Sequence, residues 1–146
     1  VLDKEYFLNC KKEMMSPNFP WFFNIHRVFE KDKDIQFTHT FYKDYAIHSA
    51  YWKQLYPVLL KLKAIAFVRI KANLNLRKDT YYKSSMHRDI TCSENYTNNG
   101  YTLFKDGKKV GCVENRLLIF DGNKEHCGVD CTDQEAKIVI NIVFCD

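Results

Sequence analysis

The chain has 146 residues, of which 46% are hydrophobic and 27% charged, with a formal net charge of +4. That length suits one domain with one core, and the balance excludes an intrinsically disordered chain. No apolar run approaches the ~18 residues of a membrane-spanning helix, so no membrane partner is expected.

Val1 to Met15 mixes Asp3, Lys4, Glu5, Lys11, Lys12 and Glu13 among its apolar residues, unlike a secretory leader. The same segment repeats Leu2, Tyr6, Cys10 and Met14 at helical spacing, which predicts a first helix stopped near Ser16-Pro17. Trp21 to Phe29 and Ile35 to Tyr42, rich in aromatic and β-branched residues, are expected to form a hairpin across the charged turn Glu30 to Asp34. Most of this early aromatic cluster is expected to plug the core, with a substrate-facing cluster as the other reading. A second helix is expected over His48 to Lys63, kinked or divided at Pro57.

From Ala64 to Leu76 the pattern changes to period two. Ala64, Ala66, Val68, Ile70, Ala72, Leu74 and Leu76 share one face of a strand, and Ile65, Phe67, Arg69, Lys71, Asn73 and Asn75 share the other. The polar stretch of that second face either meets solvent or lines a polar cavity. Beyond His87 the reading is all-β: Tyr101 to Phe104, a turn at Asp106-Gly107, Lys109 to Val113, Arg116 to Phe120, a turn at Asp121-Gly122-Asn123, and a last strand Lys137 to Phe144. Helices lead and short strands follow, as in a β-sandwich or open barrel backed by helices.

His87-Arg88-Asp89 places an imidazole and a carboxylate two residues apart, on one side of an extended segment. By itself the tripeptide is weak evidence for a metal site. His126 is the third candidate, since two histidines and one carboxylate on one face of a metal leave positions open, as in non-haem Fe(II) oxygenases. Read alone, it is more readily a surface histidine in a turn. Lys137 then leads a strand that is otherwise apolar, with Lys137, Val139, Asn141 and Val143 on one side and Ile138, Ile140, Ile142 and Phe144 on the other. Such a lysine is either an edge gatekeeper or a buried cation awaiting a carboxylate.

The order H-x-D, then "GYTLFKDGKKVGCVENRLLIFDGNKEH", then "KIVINIVF" resembles the Fe(II)/2-oxoglutarate-dependent oxygenases of the prolyl-4-hydroxylase-like group, particularly short forms encoded by marine bacterial viruses. "SPNFPWFF", "QFTHTFY" and "RIKANL" extend the resemblance over nearly the whole chain. It implies a mainly β chain with flanking helices, folded as a double-stranded β-helix (a jelly-roll, cupin-like), in one domain over 1–146. Residues 1–63 would supply helices and a hairpin, and residues 64–146 the jelly-roll core.

The resemblance also implies iron on His87, Asp89 and His126, with Lys137 pairing with the C5 carboxylate of the cosubstrate 2-oxoglutarate and O2 as oxidant. Asn73 matches the first residue of an N-x-Y pair that touches the cosubstrate in a related branch; Asn75 replaces the Tyr, and Tyr82 is a candidate for the missing hydroxyl. The implied reaction is hydroxylation of a C–H bond, of a prolyl or other protein residue or of a small molecule, with release of succinate and CO2. The implied place is the cytoplasm, the host's if the chain is viral.

Six cysteines (Cys10, Cys92, Cys112, Cys127, Cys131 and Cys145) contain no C-x-x-C pair and are expected to be reduced, packed thiols. The scattered lysines give no argument from charge for a nucleic-acid partner. The chain departs from the family between Asp89 and Asn98-Asn99-Gly100-Tyr101, where an apolar strand is expected and only Ile90 to Thr97 is present. That departure favours a second reading, a catalytically inactive jelly-roll binding module. A third is a zinc hydrolase using His87, Asp89, His126 and Cys127 or Cys131, which lacks a helical H-E-x-x-H.

Overall fold

Capping chemistry and proline set the helix boundaries. The Asp3 carboxylate accepts from the backbone N–H groups of Glu5 and Tyr6, satisfying donors that the start of α1 (Lys4–Met14) would leave unpaired. Beyond Met15 the Pro17 ring cannot continue the helix, and Trp21 Nε1 donates to the Met14 carbonyl at 3.0 Å. The buried stripe is Phe7, Cys10 and Met14, one residue round from the expected line through Tyr6. Tyr6 is half-buried, its hydroxyl donating to the Gln54 carbonyl.

The second helical segment is divided, as Pro57 requires. A 3₁₀ helix over Ala50–Leu55 leads into α2 (Tyr56–Leu62), where Pro57 occupies the first turn and its missing N–H removes no helical bond. Lys63, at φ 52°, ends it in the left-handed conformation.

The structure is a computed structural model that describes residues 1–30, 34–88, 92–93 and 99–145, with the side chains of 88, 92 and 93 excepted. Among these, in chain order, the strands are β1 (Phe22–Asn24), β2 (Gln36–Lys43), β3 (Ala46–Ile47), β4 (Ala66–Leu76), β5 (His87–Arg88), β6 (Cys92–Ser93), β7 (Tyr101–Phe104), β8 (Lys109–Gly111), β9 (Arg116–Leu117), β10 (Glu125–Val129) and β11 (Ala136–Cys145). The protein is mainly β, with two helices and antiparallel sheets. A large sheet runs β1-β2-β4-β11-β6-β9, with β3 on β2, and a smaller one runs β5-β10-β7-β8. Among the described residues no helix is long and apolar enough to cross a membrane.

The large sheet is two-faced, and this decides where the core lies. Ile70, Ala72, Ile138, Ile140 and Ile142 pack with Met14, Phe19, Trp52, Leu55, Val58 and Leu59, so the helices cover the apolar face. Each of those fully buried isoleucines contributes roughly 1.5–3 kcal/mol of transfer free energy. The opposite, polar face turns toward the small sheet.

Four expectations need correction. The Trp21–Phe29 strand shrinks to β1; its pairing Phe22↔Thr38 to Asn24↔Gln36 is antiparallel as expected, but the strand ends at Asn24, and Lys31 to Lys33 of the expected charged turn lie outside the described residues. The alternation over 64–76 holds from Arg69 to Leu76 and changes phase below. Val143 pairs with Arg69 but Phe144 with Phe67, leaving Val68 as an extra bulged residue, so Phe67 joins the core and Val68 is exposed. The place beside β11 is not strandless, because β6 pairs with both β11 and β9. Finally, His126 lies in a strand, β10, and not in a turn.

The aromatic cluster divides. Phe19, Trp21, Phe41 and Tyr42 enter the core or pack on it, while Phe22 and Phe23 on β1 are exposed. Among them His39 is buried, with Nδ1–H donating to the Pro20 carbonyl at 2.8 Å and Nε2 accepting from Ser49 Oγ at 2.7 Å. Ser49 Oγ also caps the 3₁₀ helix by accepting from the Tyr51 N–H. Burial lowers the His39 pKa below its ordinary 6.5, outweighing the opposing effect of the Pro20 bond.

The unfolded chain therefore takes up this proton first on acidification. Its stability contribution is intact above about pH 6.5 and is lost as the pH falls from there through the folded value. Urea midpoints measured from pH 7.5 to 5 should fall more steeply for the native protein than for His39→Gln; equal slopes would contradict this assignment.

Candidate functional site

Between the polar face of the large sheet and the small sheet lies a cavity of about 580 Å³. Its large-sheet wall consists of Arg69, Lys71, Asn73 and Asn75 from β4 and Lys137, Val139 and Asn141 from β11. Both rows follow from strand alternation, since every second residue projects to the same side. The small-sheet wall includes His87, Thr102, His126 and Gly128.

The two histidines stand directly opposite each other, His126 of β10 paired with His87 of β5, with ring centroids 4.6 Å apart. Each ring is oriented in the same way. His87 Nδ1 meets the Ser85 carbonyl at 2.9 Å and His126 Nδ1 meets the Lys124 carbonyl at 3.0 Å. A carbonyl only accepts, so Nδ1 carries the proton and, in the neutral ring, Nε2 carries the lone pair. This is the tautomer of an Nε2 metal ligand held by an outer hydrogen bond. Phe120 packs edge-on against the His126 ring at 4.8 Å and against Phe104 at 4.9 Å, and His126 is only 1% exposed.

The segment before β5 is stapled to β10. Ser84 Oγ accepts from Gly128 N–H at 3.1 Å and donates to the Gly128 carbonyl, and Asp130 N–H donates to the Tyr82 carbonyl at 3.0 Å. These bonds hold His87 in register with His126. Gly128 keeps the space between Ser84 Oγ and Lys137 Nζ open, because a Cβ there would lie 3.8 and 3.9 Å from those atoms.

One end of the cavity is ionic and buried. Lys137 is 3% exposed; its Nζ donates to the Val129 carbonyl at 2.8 Å and lies 3.9 Å from Asp130 Oδ1. Asp130, 1% exposed, binds Arg27 through Oδ2 at 2.8 Å, and Arg27 reaches Asp34 at 3.4 Å, which Lys78 also contacts. Three cations thus share two carboxylates. An ammonium has three donors, and Lys137 uses one of them on Val129, so the cluster has positive charge and donor capacity left for an anion.

Removing one carboxylate from this cluster strands buried cations. Asp130→Asn should lower unfolding stability by about 3 kcal/mol, the scale of a broken buried pair. A shift of the urea midpoint read with an unchanged m-value would measure it, and a shift below about 1 kcal/mol would mean that water reaches the cluster.

Of the candidates from the sequence, His87, His126, Lys137, Asn73 and Asn75 line this one cavity. Comparison with family models, with curated proteins and with solved structures found no match. Asp89 lies outside the described residues, and among those described no three His, Cys, Asp or Glu side chains stand close enough to hold a metal. Asn75 Oδ1 accepts from Gln36 Nε2 at 2.8 Å. Tyr82 is not among the lining residues; its ring lies under the Arg27 guanidinium at 5.2 Å, so it supports the cationic end from behind.

Arg27, Asp130, Gln36 and Ser84 were not legible as site residues. Arg27 falls in a stretch read as strand, and Asp130 follows a strand whose sequence, Glu-His-Cys-Gly-Val, alternates weakly. Cys10, Cys112, Cys127 and Cys131 are buried and Cys145 is exposed, none of the five in a disulfide, while the Cys92 side chain lies outside the described residues. Burial raises the pKa of Cys127 and of Cys131, against the opposing pull of Lys137. Cys127 adjoins His126 in the strand and so projects from the other side of the sheet, away from the histidine pair.

Proposed function

We propose that the chain is an Fe(II)- and 2-oxoglutarate-dependent dioxygenase that hydroxylates a C–H bond, of a prolyl or other protein residue or of a small molecule, and releases succinate and CO2. The observation that carries this reading is the cavity with two jobs. On one wall a pair of Nδ1-tethered histidines faces inward, and on the other a buried lysine keeps donors for a carboxylate.

The strand orders support a double-stranded β-helix. From β4 to β11 the chain crosses between sheets to give β4-β11-β6-β9 facing β5-β10-β7-β8, the order of an eight-stranded jelly-roll. In this proposal His87 and His126, with Asp89 as the third ligand, hold the iron. Such a donor set of two imidazoles and a carboxylate fits Fe(II) and leaves positions open for cosubstrate and O2. Lys137 would receive the C5 carboxylate, beside Asn75 and Asn73.

Iron and 2-oxoglutarate supply the oxidising chemistry, one oxygen atom going to the substrate and one to succinate. The protein's role is to orient. The backbone carbonyls of Ser85 and Lys124 fix the imidazole tautomers, and Phe104 and Phe120 pack round His126 and exclude water from that side.

The test is an anaerobic titration of Fe(II) and 2-oxoglutarate into the folded protein, read as the weak visible charge-transfer band of the chelate. A band that saturates at one iron per chain is expected. Its absence would reject the oxygenase reading in favour of a non-catalytic jelly-roll module.

A further inference from the structure

We infer that the substrate is presented as an extended polypeptide segment, whose main chain lies on a ledge of the large sheet that runs from Asn73 across Thr38 to Phe22 at the β1 edge. This deepens the oxygenase reading and rests on it only in calling the occupant a substrate.

The first ground is the shape of the large sheet. Its side of the site cavity is built by β4 and β11, and of β2 only Gln36 reaches it. The sheet continues past that wall through β2 to β1. Antiparallel partners project to the same side, so Thr38 stands beside Asn73, and Phe22 beside Thr38, in one row. Phe22, Asn24, Thr38 and Thr40 line a second cavity, of about 500 Å³. Asn73 is therefore the last side chain of the row inside the site, and Thr38 the first outside it.

The second ground is hydrogen bonding. Asn73 is 8% exposed, faces the site cavity, and its Oδ1 has no hydrogen-bond partner among the described residues. A buried carbonyl oxygen left in that state costs about 1–3 kcal/mol unless a ligand supplies a donor, and the 2-oxoglutarate dianion has only acceptors. Thr38 Oγ1 accepts from Asn24 Nδ2 at 2.7 Å, which leaves its own proton to donate. An acceptor and a donor side by side on neighbouring strands match the N–H and C=O of a main chain. Among the described residues no Lys, Arg, Asp or Glu lines the second cavity, so its chemistry suits a neutral, amide-bearing occupant.

The third ground is length. Neighbouring strands lie about 4.8 Å apart, so Asn73 and Phe22, two strands away, are separated by roughly 10 Å, about three residues of extended chain. A free amino acid held at Asn73 does not reach that far. At the far end the Phe22 ring is 62% exposed and lies over His39 with the ring planes 27° apart, a face that an apolar side chain of the segment would cover. Full burial of such a ring contributes roughly 1.5–3 kcal/mol.

The test titrates neutral probes into the full chain with 2-oxoglutarate present and iron absent, and reads binding by NMR chemical-shift changes. The probes are N-methylacetamide, free proline, and acetylated hexapeptide amides of alanine and glycine that carry one leucine at each position in turn. The best hexapeptide should bind about tenfold or more tighter than either small probe. In Phe22→Ala/Thr38→Val, shown by thermal melting to be folded, that affinity should fall about tenfold while 2-oxoglutarate affinity stays within about twofold. Hexapeptides that bind no tighter than N-methylacetamide, or as tightly to the variant as to the native chain, would each overturn the inference and leave a small-molecule substrate. Failure of the oxygenase reading is separate, since it appears as loss of the iron-chelate band and leaves this iron-free titration interpretable.

Discussion

Asp89→Ala and His126→Ala should each abolish the visible Fe(II)–2-oxoglutarate band and substrate-dependent succinate formation. Three protein ligands leave little redundancy for a weakly held Fe(II). Losing an outer hydrogen-bond partner of a ligand already costs about 10–100-fold in affinity, and losing a ligand costs more. The two variants differ in what else they disturb. His126 is packed between Phe104, Phe120 and His87, so its truncation also opens a small cavity and should lower stability by about 1–3 kcal/mol. Circular dichroism and a urea midpoint keep the two effects apart. Stoichiometric iron in either folded variant would remove that residue from the ligand set.

Lys137→Ala should raise the dissociation constant of 2-oxoglutarate by roughly 10–150-fold, the 1.5–3 kcal/mol of a hydrogen bond to a charged group. The band should still form when 2-oxoglutarate is in excess, because the anchor holds the end of the cosubstrate remote from the metal. Folding should survive, since Arg27 remains on Asp130 at 2.8 Å when the more distant lysine is removed. Titration of the band with 2-oxoglutarate measures the effect directly. An unchanged constant would move the anchor to Arg69 or Lys71 and exchange the roles of the two ends of the cavity.

Local pattern carried much of this. The two-faced rows of β4 and β11 were legible because side-chain direction in a strand depends on the backbone alone: Arg69 to Asn75 on one side, Ile138 to Phe144 on the side opposite Lys137. So was the division at Pro57, which follows from one missing N–H. The exposure of Val68 was not legible, since a bulge arises from the register between two strands and no single strand encodes it. The same holds for β10, a short strand of weak alternation that exists because β5 and β7 flank it.

The site shows the same split. His87, His126 and Lys137 could be named as candidates from residue type and spacing, because chemistry limits which side chains hold a metal or an anion, and Asn73 and Asn75 only through the family resemblance. That the five line one cavity, that Nδ1 of each histidine is tethered to a carbonyl, and that Arg27 and Asp130 join Lys137 were decided by tertiary structure alone. The reason is distance along the chain. Arg27 and Asp130 are 103 residues apart, and no local rule relates them until the sheets fold together and exclude the water that would otherwise solvate their charges.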